Sequence, residues 1–303
     1  MSGLATRDAR KGKPAGAGNG APGDGRVSDH LQQFRQRGYA VIKGVFDADE
    51  VAALRAAFDR VYATGLRHPT SYRHQNVYYR IGQDPALGRV LRLVQWPSYF
   101  DPTLAAIRTD RRLFDIVAPI LGRDIKQIIN QMHWKPPGAA VSEFGYHQDI
   151  RFRRPREAYR NPARSYVQTG IAIDPHRRDN GAMTFLPGSH DRGEVTLPGR
   201  GPIMNSPLSD ADLAAAGLDA CGREDLILEP GDVGIWSLFT VHGSHPNRST
   251  IDRRVYLNGY VRAADCDRGE WAFRDGRPCV LGQPALVHYD DLYTRPEPHY
   301  VTE

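Results

Sequence analysis

The hydrophobic rhythm of the chain changes near residue 125. Before that point the apolar positions keep helical spacing. Val51, Leu54, Phe58 and Val61 lie on one face of a helix, and Asp47 or Asp49 stands where it would start. A shorter helix is expected upstream, capped by Ser28, with Leu31 and Phe34 on its apolar side and Gly38 at its end. Tyr39–Val45 reads as a strand, 65–100 as a looser segment, and 103–121 as helical again, stopping at Gly122. Beyond residue 125 short β-rich runs take over: Ile125–Trp134, Phe144–Phe152, Tyr166–Asp174, Ala182–Leu186, Leu226–Leu228, Asp232–Phe239 and Arg254–Arg262. Turns of Pro, Gly, Asn and Asp separate them. Many short strands punctuated in this way predict a mainly β fold, a sandwich or jelly roll, with flanking helices.

Residues 1–26 are rich in Gly, Ala, Lys and Arg and hold too little apolar surface to fold, so a disordered leader is expected there. The remainder, 27–303, reads as one domain. It comprises a helical elaboration over 27–124, a jelly-roll core over 125–263 and an irregular tail over 264–303 that carries Pro284, Pro296 and Pro298. No internal repeat interrupts it. Its length, 303 residues with 40% hydrophobic, is sufficient for one large core.

Charge and cysteine content narrow the partners. The net charge of +5 is modest, and much of it sits in the leader and in one arginine cluster, which is no nucleic-acid footprint. No apolar run is long enough for a membrane span. Cys221, Cys266 and Cys279 are odd in number and far apart, so no disulfide framework is expected, and a reducing, cytoplasmic setting is the simplest reading. These features leave a small-molecule substrate as the expected partner. The oligomeric state is open.

The candidate chemistry centres on His147-Gln148-Asp149 at the end of a strand run. Residues two apart on a strand point to the same side, so His147 and Asp149 present an imidazole and a carboxylate together. A third ligand must come from elsewhere, and His242, after the apolar run Val233–Val241, is the best candidate; His245 competes with it. Two His and one carboxylate occupy one face of an octahedral metal and leave the other open, as non-haem Fe(II) oxygenases require. His190 reads as a turn residue, and His68, His74 and His176 lack ligand spacing. His133 is set outside the inward-facing group that contains Gln131. Arg151, Arg153, Arg154 and Arg156 form either a solvated charge run or a site for an acidic substrate. Arg73, His74, Gln75, Asn76, Tyr78 and Tyr79 are a second candidate for substrate contact. No nucleophile elbow, P-loop or dinucleotide fingerprint is present.

Around this centre further elements fall in order: Lys135-Pro136-Pro137, Asn180-Gly181, Leu186-Pro187-Gly188-Ser189-His190, Gly231-Asp232, His242-Gly243-Ser244, Asn247 and Arg253-Arg254. With them the chain resembles the phytanoyl-CoA dioxygenase family of Fe(II)/2-oxoglutarate-dependent oxygenases, over about residues 28–262. The resemblance implies a double-stranded β-helix and a reaction that consumes O2 and 2-oxoglutarate, releases succinate and CO2, and hydroxylates a small metabolite; the basic cluster points to an anionic one. It implies Fe(II) held by His147, Asp149 and His242. By position Arg253 would bind the distal carboxylate of 2-oxoglutarate, where a guanidinium fork matches a carboxylate. Ser244 and Gln131 would contact the same co-substrate. Where some relatives place a Trp, this chain has Gly170, and Thr169 is expected to substitute as a polar contact. Asp149 argues against a halogenase, in which the carboxylate is replaced. A desaturase or cyclase, and a non-catalytic metal-binding jelly roll, stand as alternatives.

Overall fold

The computed structural model describes residues 24–74, 76–197, 204, 206–282 and 296–301. The first helix, Asp24–Arg37, starts before the cap expected at Ser28, and the leader expected over 1–26 lies outside the described residues up to residue 23. Gly38 ends this helix at φ +80°, and its N–H bonds the Phe34 carbonyl at 2.9 Å. A Cβ there would meet His190 Nδ1 and Thr240 Oγ1 at 2.6 Å, so the position requires glycine. The second helix runs Ala48–Gly65. Asp47 accepts the Glu50 N–H while Glu50 accepts the Asp47 N–H, a reciprocal cap that satisfies two end donors. Val51, Leu54, Phe58 and Val61 are all buried, as their spacing predicts.

The helical stretch 103–121 divides in two. Pro102–Ile107 is capped by Asp101 and Arg111–Leu121 by Asp110, and Gly122 closes the second. These helices pack on the outer face of a large antiparallel sheet. Phe58 meets Trp134 edge-on at 5.0 Å, and Leu54, Val117, Met132, Ile171 and Tyr256 share the same core cluster. Truncating Phe58 to Ala would cost about 3–5 kcal/mol, since a buried aromatic leaves both lost transfer energy and a cavity.

Two sheets face each other to make the jelly roll. The large one has the strand order Tyr39–Ile42, Val233–Trp236, Tyr166–Ala172, Arg253–Arg262, Ile125–Lys135, Gly88–Gln95, Val77–Asp84, Tyr72–His74 and His299–Tyr300. Glu270–Arg274 joins at the Ile125 end of Ile125–Lys135 and pairs with Arg277–Pro278. The small sheet has the order Phe144–His147, His242–Ser244, Met183–Phe185 and Glu224–Asp225. A mainly β jelly roll with flanking helices was expected and is what forms.

Three departures from the sequence reading concern the sheets. The looser segment 65–100 contains three strands of the large sheet. Its tail partner His299–Tyr300, and Glu270–Arg274, are strands in a stretch expected to be irregular. The run expected from Phe144 to Phe152 leaves strand geometry after His147 and turns through a short 3-10 helix at Asp149–Phe152. Among the described residues no helix is long and apolar enough to cross a membrane, and Cys221, Cys266 and Cys279 are free thiols.

Candidate active site

His147 and His242 end up side by side because their strands pair. They are register partners in the small sheet, and their ring centroids lie 4.3 Å apart. Asp149 comes from the turn that follows His147. Its Oδ1 stands 3.7 Å from His147 Nε2 and 3.8 Å from His242 Nε2, and one ligand atom from each of the three residues lies within 4.8 Å of the others. The opposite ring nitrogens are committed. His147 Nδ1–H donates to the Gly145 carbonyl and His242 Nδ1–H to the Thr240 carbonyl, both at 2.9 Å. Those bonds fix the tautomers, so both Nε2 lone pairs point at the shared centre. Phe185 stacks on His242 at 5.3 Å.

Electrostatics favour a cation at this point. Burial, aided by His242, pushes the His147 imidazole down to about 3, so it is a neutral donor. Burial works to raise the Asp149 carboxyl, but His242, His147, Arg153 and the Trp236 indole together hold it below its ordinary value. Trp236 Nε1–H donates to Asp149 Oδ2 at 3.0 Å, leaving Oδ1 for the centre. The middle residue of the motif also has a task. Gln148 bonds the carbonyls of Gly193 and Phe239 and the N–H of Val195, which ties the ligand-bearing turn to two loops.

The triad opens on a cavity of about 550 Å³ between the sheets. At one end Arg253 and Lys135 are register partners, and both are buried. Lys135 Nζ donates to Ser244 Oγ at 2.7 Å and to the His245 carbonyl, and Arg253 Nε donates to the Gly181 carbonyl at 3.0 Å. Burial, with Arg253 beside it, drives the Lys135 ammonium well below its usual range. Burial lowers Arg253 to about 10. Charging both groups at once is unfavourable until an anion lies between them. Gln131 and Ser244 line the cavity with Arg253.

Two expectations need correction. Thr169 does not reach the cavity: its Oγ1–H donates to the Asn258 carbonyl at 2.9 Å, and its neighbour Gln168 lines the wall instead. Adjacent strand residues face opposite ways, so only one of the two can point inward. His133, set outside the inward group, is in it. It lines the cavity, donates from Nε2 to Gln131 Oε1 at 3.1 Å, and is held neutral, at about 3, by burial and then by Arg253. Gln131 and His133 are two residues apart on one strand, so the signal was in the sequence.

Other candidates separate cleanly. Arg153 and Arg154 line the cavity, whereas Arg156 pairs with Glu194 at the surface and Arg151 lies over the Phe152 ring at 5.4 Å. Of the second substrate group, Arg73, His74, Asn76, Tyr78 and Tyr79 do not line it, and Gln75 lies outside the described residues; Arg80, on the same strand, does line it. His245 approaches Asp225 at 3.9 Å, away from the triad. Trp236 and Lys135 carry clear tasks that sequence reasoning did not assign. A Trp in an apolar run reads as core, and a Lys before Pro-Pro reads as surface. Trp236 also covers Gly170: a Cβ there would meet its ring at 3.2 Å.

The fold and this cluster define a jelly-roll protein with a His-Asp-His candidate metal centre beside a buried cationic pocket. The chain belongs to the phytanoyl-CoA dioxygenase family, whose model matches residues 34–255. It is 29% identical over 244 residues to a probable alpha-ketoglutarate-dependent hypophosphite dioxygenase of Stutzerimonas stutzeri, covering 78% of this chain and 79% of that one. It is 24% identical over 253 residues to an ectoine dioxygenase of Bordetella bronchiseptica, covering 79% and 77%. Among solved structures, EctD from S. alaskensis with bound Fe superposes with a TM-score of 0.62 at 20% identity, over 88% of this chain and 89% of that one. The last likeness concerns the fold.

Proposed function

We propose that the chain is an Fe(II)/2-oxoglutarate-dependent oxygenase that hydroxylates a small molecule. Fe(II) would be held by His147 Nε2, Asp149 Oδ1 and His242 Nε2, two imidazoles and one carboxylate suited to a divalent ion with open positions. The observation that carries the co-substrate is the Arg253–Lys135 pair. A buried guanidinium and a buried amine, both held below their usual ranges, face each other next to the triad, and neither forms an ion pair with a carboxylate among the described residues. The distal carboxylate of 2-oxoglutarate supplies the missing charge. Arg253 would receive it, Ser244 would support it from the position fixed by Lys135, and Gln131 would border it.

When bound, iron and 2-oxoglutarate supply the oxidising power through O2 consumption, loss of CO2 and formation of succinate. The protein's part is positional. Gly145 and Thr240 carbonyls aim the two imidazoles, Trp236 steers the carboxylate, and the two sheets shield the centre from water. The names of the Stutzerimonas and Bordetella relatives support the class, and the iron in EctD supports the metal. Asp149 keeps the ligand set that hydroxylases use.

Calorimetry under anaerobic conditions tests the reading. 2-Oxoglutarate is expected to bind in the presence of Fe(II), and air is expected to yield succinate. His147→Ala and Asp149→Ala should each abolish succinate formation. No 2-oxoglutarate binding by the wild type overturns the proposal, and full turnover in either variant removes that residue from the ligand set.

A further inference from the structure

Most of the cavity wall has no task in the co-substrate reading. Among the described residues its arginines are Arg80, Arg153, Arg154, Arg253 and Arg268, and its one carboxylate is Asp149. With Arg253 assigned to 2-oxoglutarate and Asp149 to the metal, the charged side chains left on the wall among the described residues are arginines. His133 adds no charge, since burial keeps it neutral.

Apart from Arg253, Arg153 is the most enclosed of these. It is 6% exposed, and its Nε is buried with no hydrogen-bond partner. The guanidinium carbon stands 5.7 Å from the centre of the Tyr166 ring, with the Tyr159 hydroxyl beside it. Its neighbour Arg156 pairs with Glu194, whereas Arg153 pairs with no carboxylate among the described residues. A buried guanidinium with an unused donor is costly, and an incoming anion removes that cost.

The position separates this group from the co-substrate pocket. Tyr166 pairs with Val261, near the far end of the strand that begins at Arg253. Arg253 and Arg153 are thus set against different stretches of the wall, the first at the start of its own strand and the second beside the Tyr166 ring. Apolar wall from Trp96, Phe152 and Leu257 lines the same cavity.

We infer that Arg153 anchors an acidic group of the substrate, so that the substrate is a small anion, a carboxylate or a phosphorus oxyacid, joined to an apolar body. This rests on the oxygenase reading, in which Arg253 is already occupied. Tyr159 and Gln168, on the same wall, are placed to add hydrogen bonds to that group.

The test uses the full chain loaded with Fe(II) and 2-oxoglutarate, without oxygen and in low-chloride buffer. Phenylphosphonate, benzoate and neutral benzamide are titrated by calorimetry. At least one acid is expected to bind tenfold or more tightly than benzamide, and the tighter acid tells phosphorus from carboxyl chemistry. Arg153→Met should erase the difference, and Arg153→Lys should keep part of it. Equal binding of acids and amide, no acid binding, or an acid preference that survives in Arg153→Met each overturns the inference. Should Arg153→Met fail to fold, the wild-type comparison and Arg153→Lys decide. The 2-oxoglutarate titration of the same samples separates the two readings. Intact 2-oxoglutarate binding without acid preference sinks this inference alone, and absent 2-oxoglutarate binding sinks the function.

Discussion

The cavity has two cationic ends, and they are built differently. At one, Arg253 and Lys135 sit on adjacent strands in register, and their donors are tied to Gly181, Ser244 and His245. At the other, Arg153 sits in a loop just past the 3-10 turn Asp149–Phe152, and one of its donors is unused. A site on paired strands is positioned by the sheet ladder itself. A site on a loop can change without disturbing the sheet. The first arrangement suits a ligand that the chemistry always needs. The second suits one whose identity can vary while the sheet stays unchanged.

The strongest way to break this contrast is at the strand-built end. Arg253→Met should weaken 2-oxoglutarate binding about 100-fold, because truncating one partner of a buried charge pair leaves the other unpaired. The preference of the Arg153 end for an acid over an amide should survive, as measured by the same titration. Equal losses at both ends would mean that the two are one site.

That contrast also explains what the sequence disclosed. Val51, Leu54, Phe58 and Val61 were legible because one face packs and the other does not. The candidate pair His147 and Asp149 was legible because a short motif sits beside a strand end. The strands Val77–Asp84 and Gly88–Gln95 were not. They are covered on both faces for most of their length, so the alternation that marks a half-exposed strand is missing. Arg92 inside the second is buried and paired with Asp84 at 2.9 Å, which makes a core strand look polar. The pairing of Tyr72–His74 with His299–Tyr300 is set by contacts across most of the chain, and no local signal announces it. Lys135 and Trp236 reveal their tasks only once Ser244 and Asp149 are brought beside them.

A smaller effect is expected at the centre between the two ends. Trp236→Phe keeps most of the packing against Phe185 and His242 but removes the N–H that holds Asp149 Oδ2. Fe(II) affinity should fall about tenfold, the usual scale for losing a group that orients a ligand. Once metal is saturated, 2-oxoglutarate and phenylphosphonate should bind as in the wild type. An Fe(II) titration reads this directly. Unchanged affinity would show that the turn after His147 holds Asp149 without the indole.

Thr169→Val should produce the least change in binding, and it tests whether the wall is assigned correctly. Thr169 lies on the strand next to Arg253–Arg262, and its hydroxyl donates to the Asn258 carbonyl rather than into the cavity. Valine preserves the β-branched shape and removes that one hydrogen bond. Stability should fall by about 1 kcal/mol, the net worth of such a bond, seen as a lower urea midpoint with an unchanged slope. Affinity for 2-oxoglutarate should stay within about twofold, below the tenfold step that 1.4 kcal/mol represents. A tenfold loss would return Thr169 to the co-substrate and require the strand Tyr166–Ala172 to present its other face to the cavity. Such a slip would carry Gln168 off the wall and Gly170 away from the Trp236 ring, since a shift of one residue reverses every side chain on the strand.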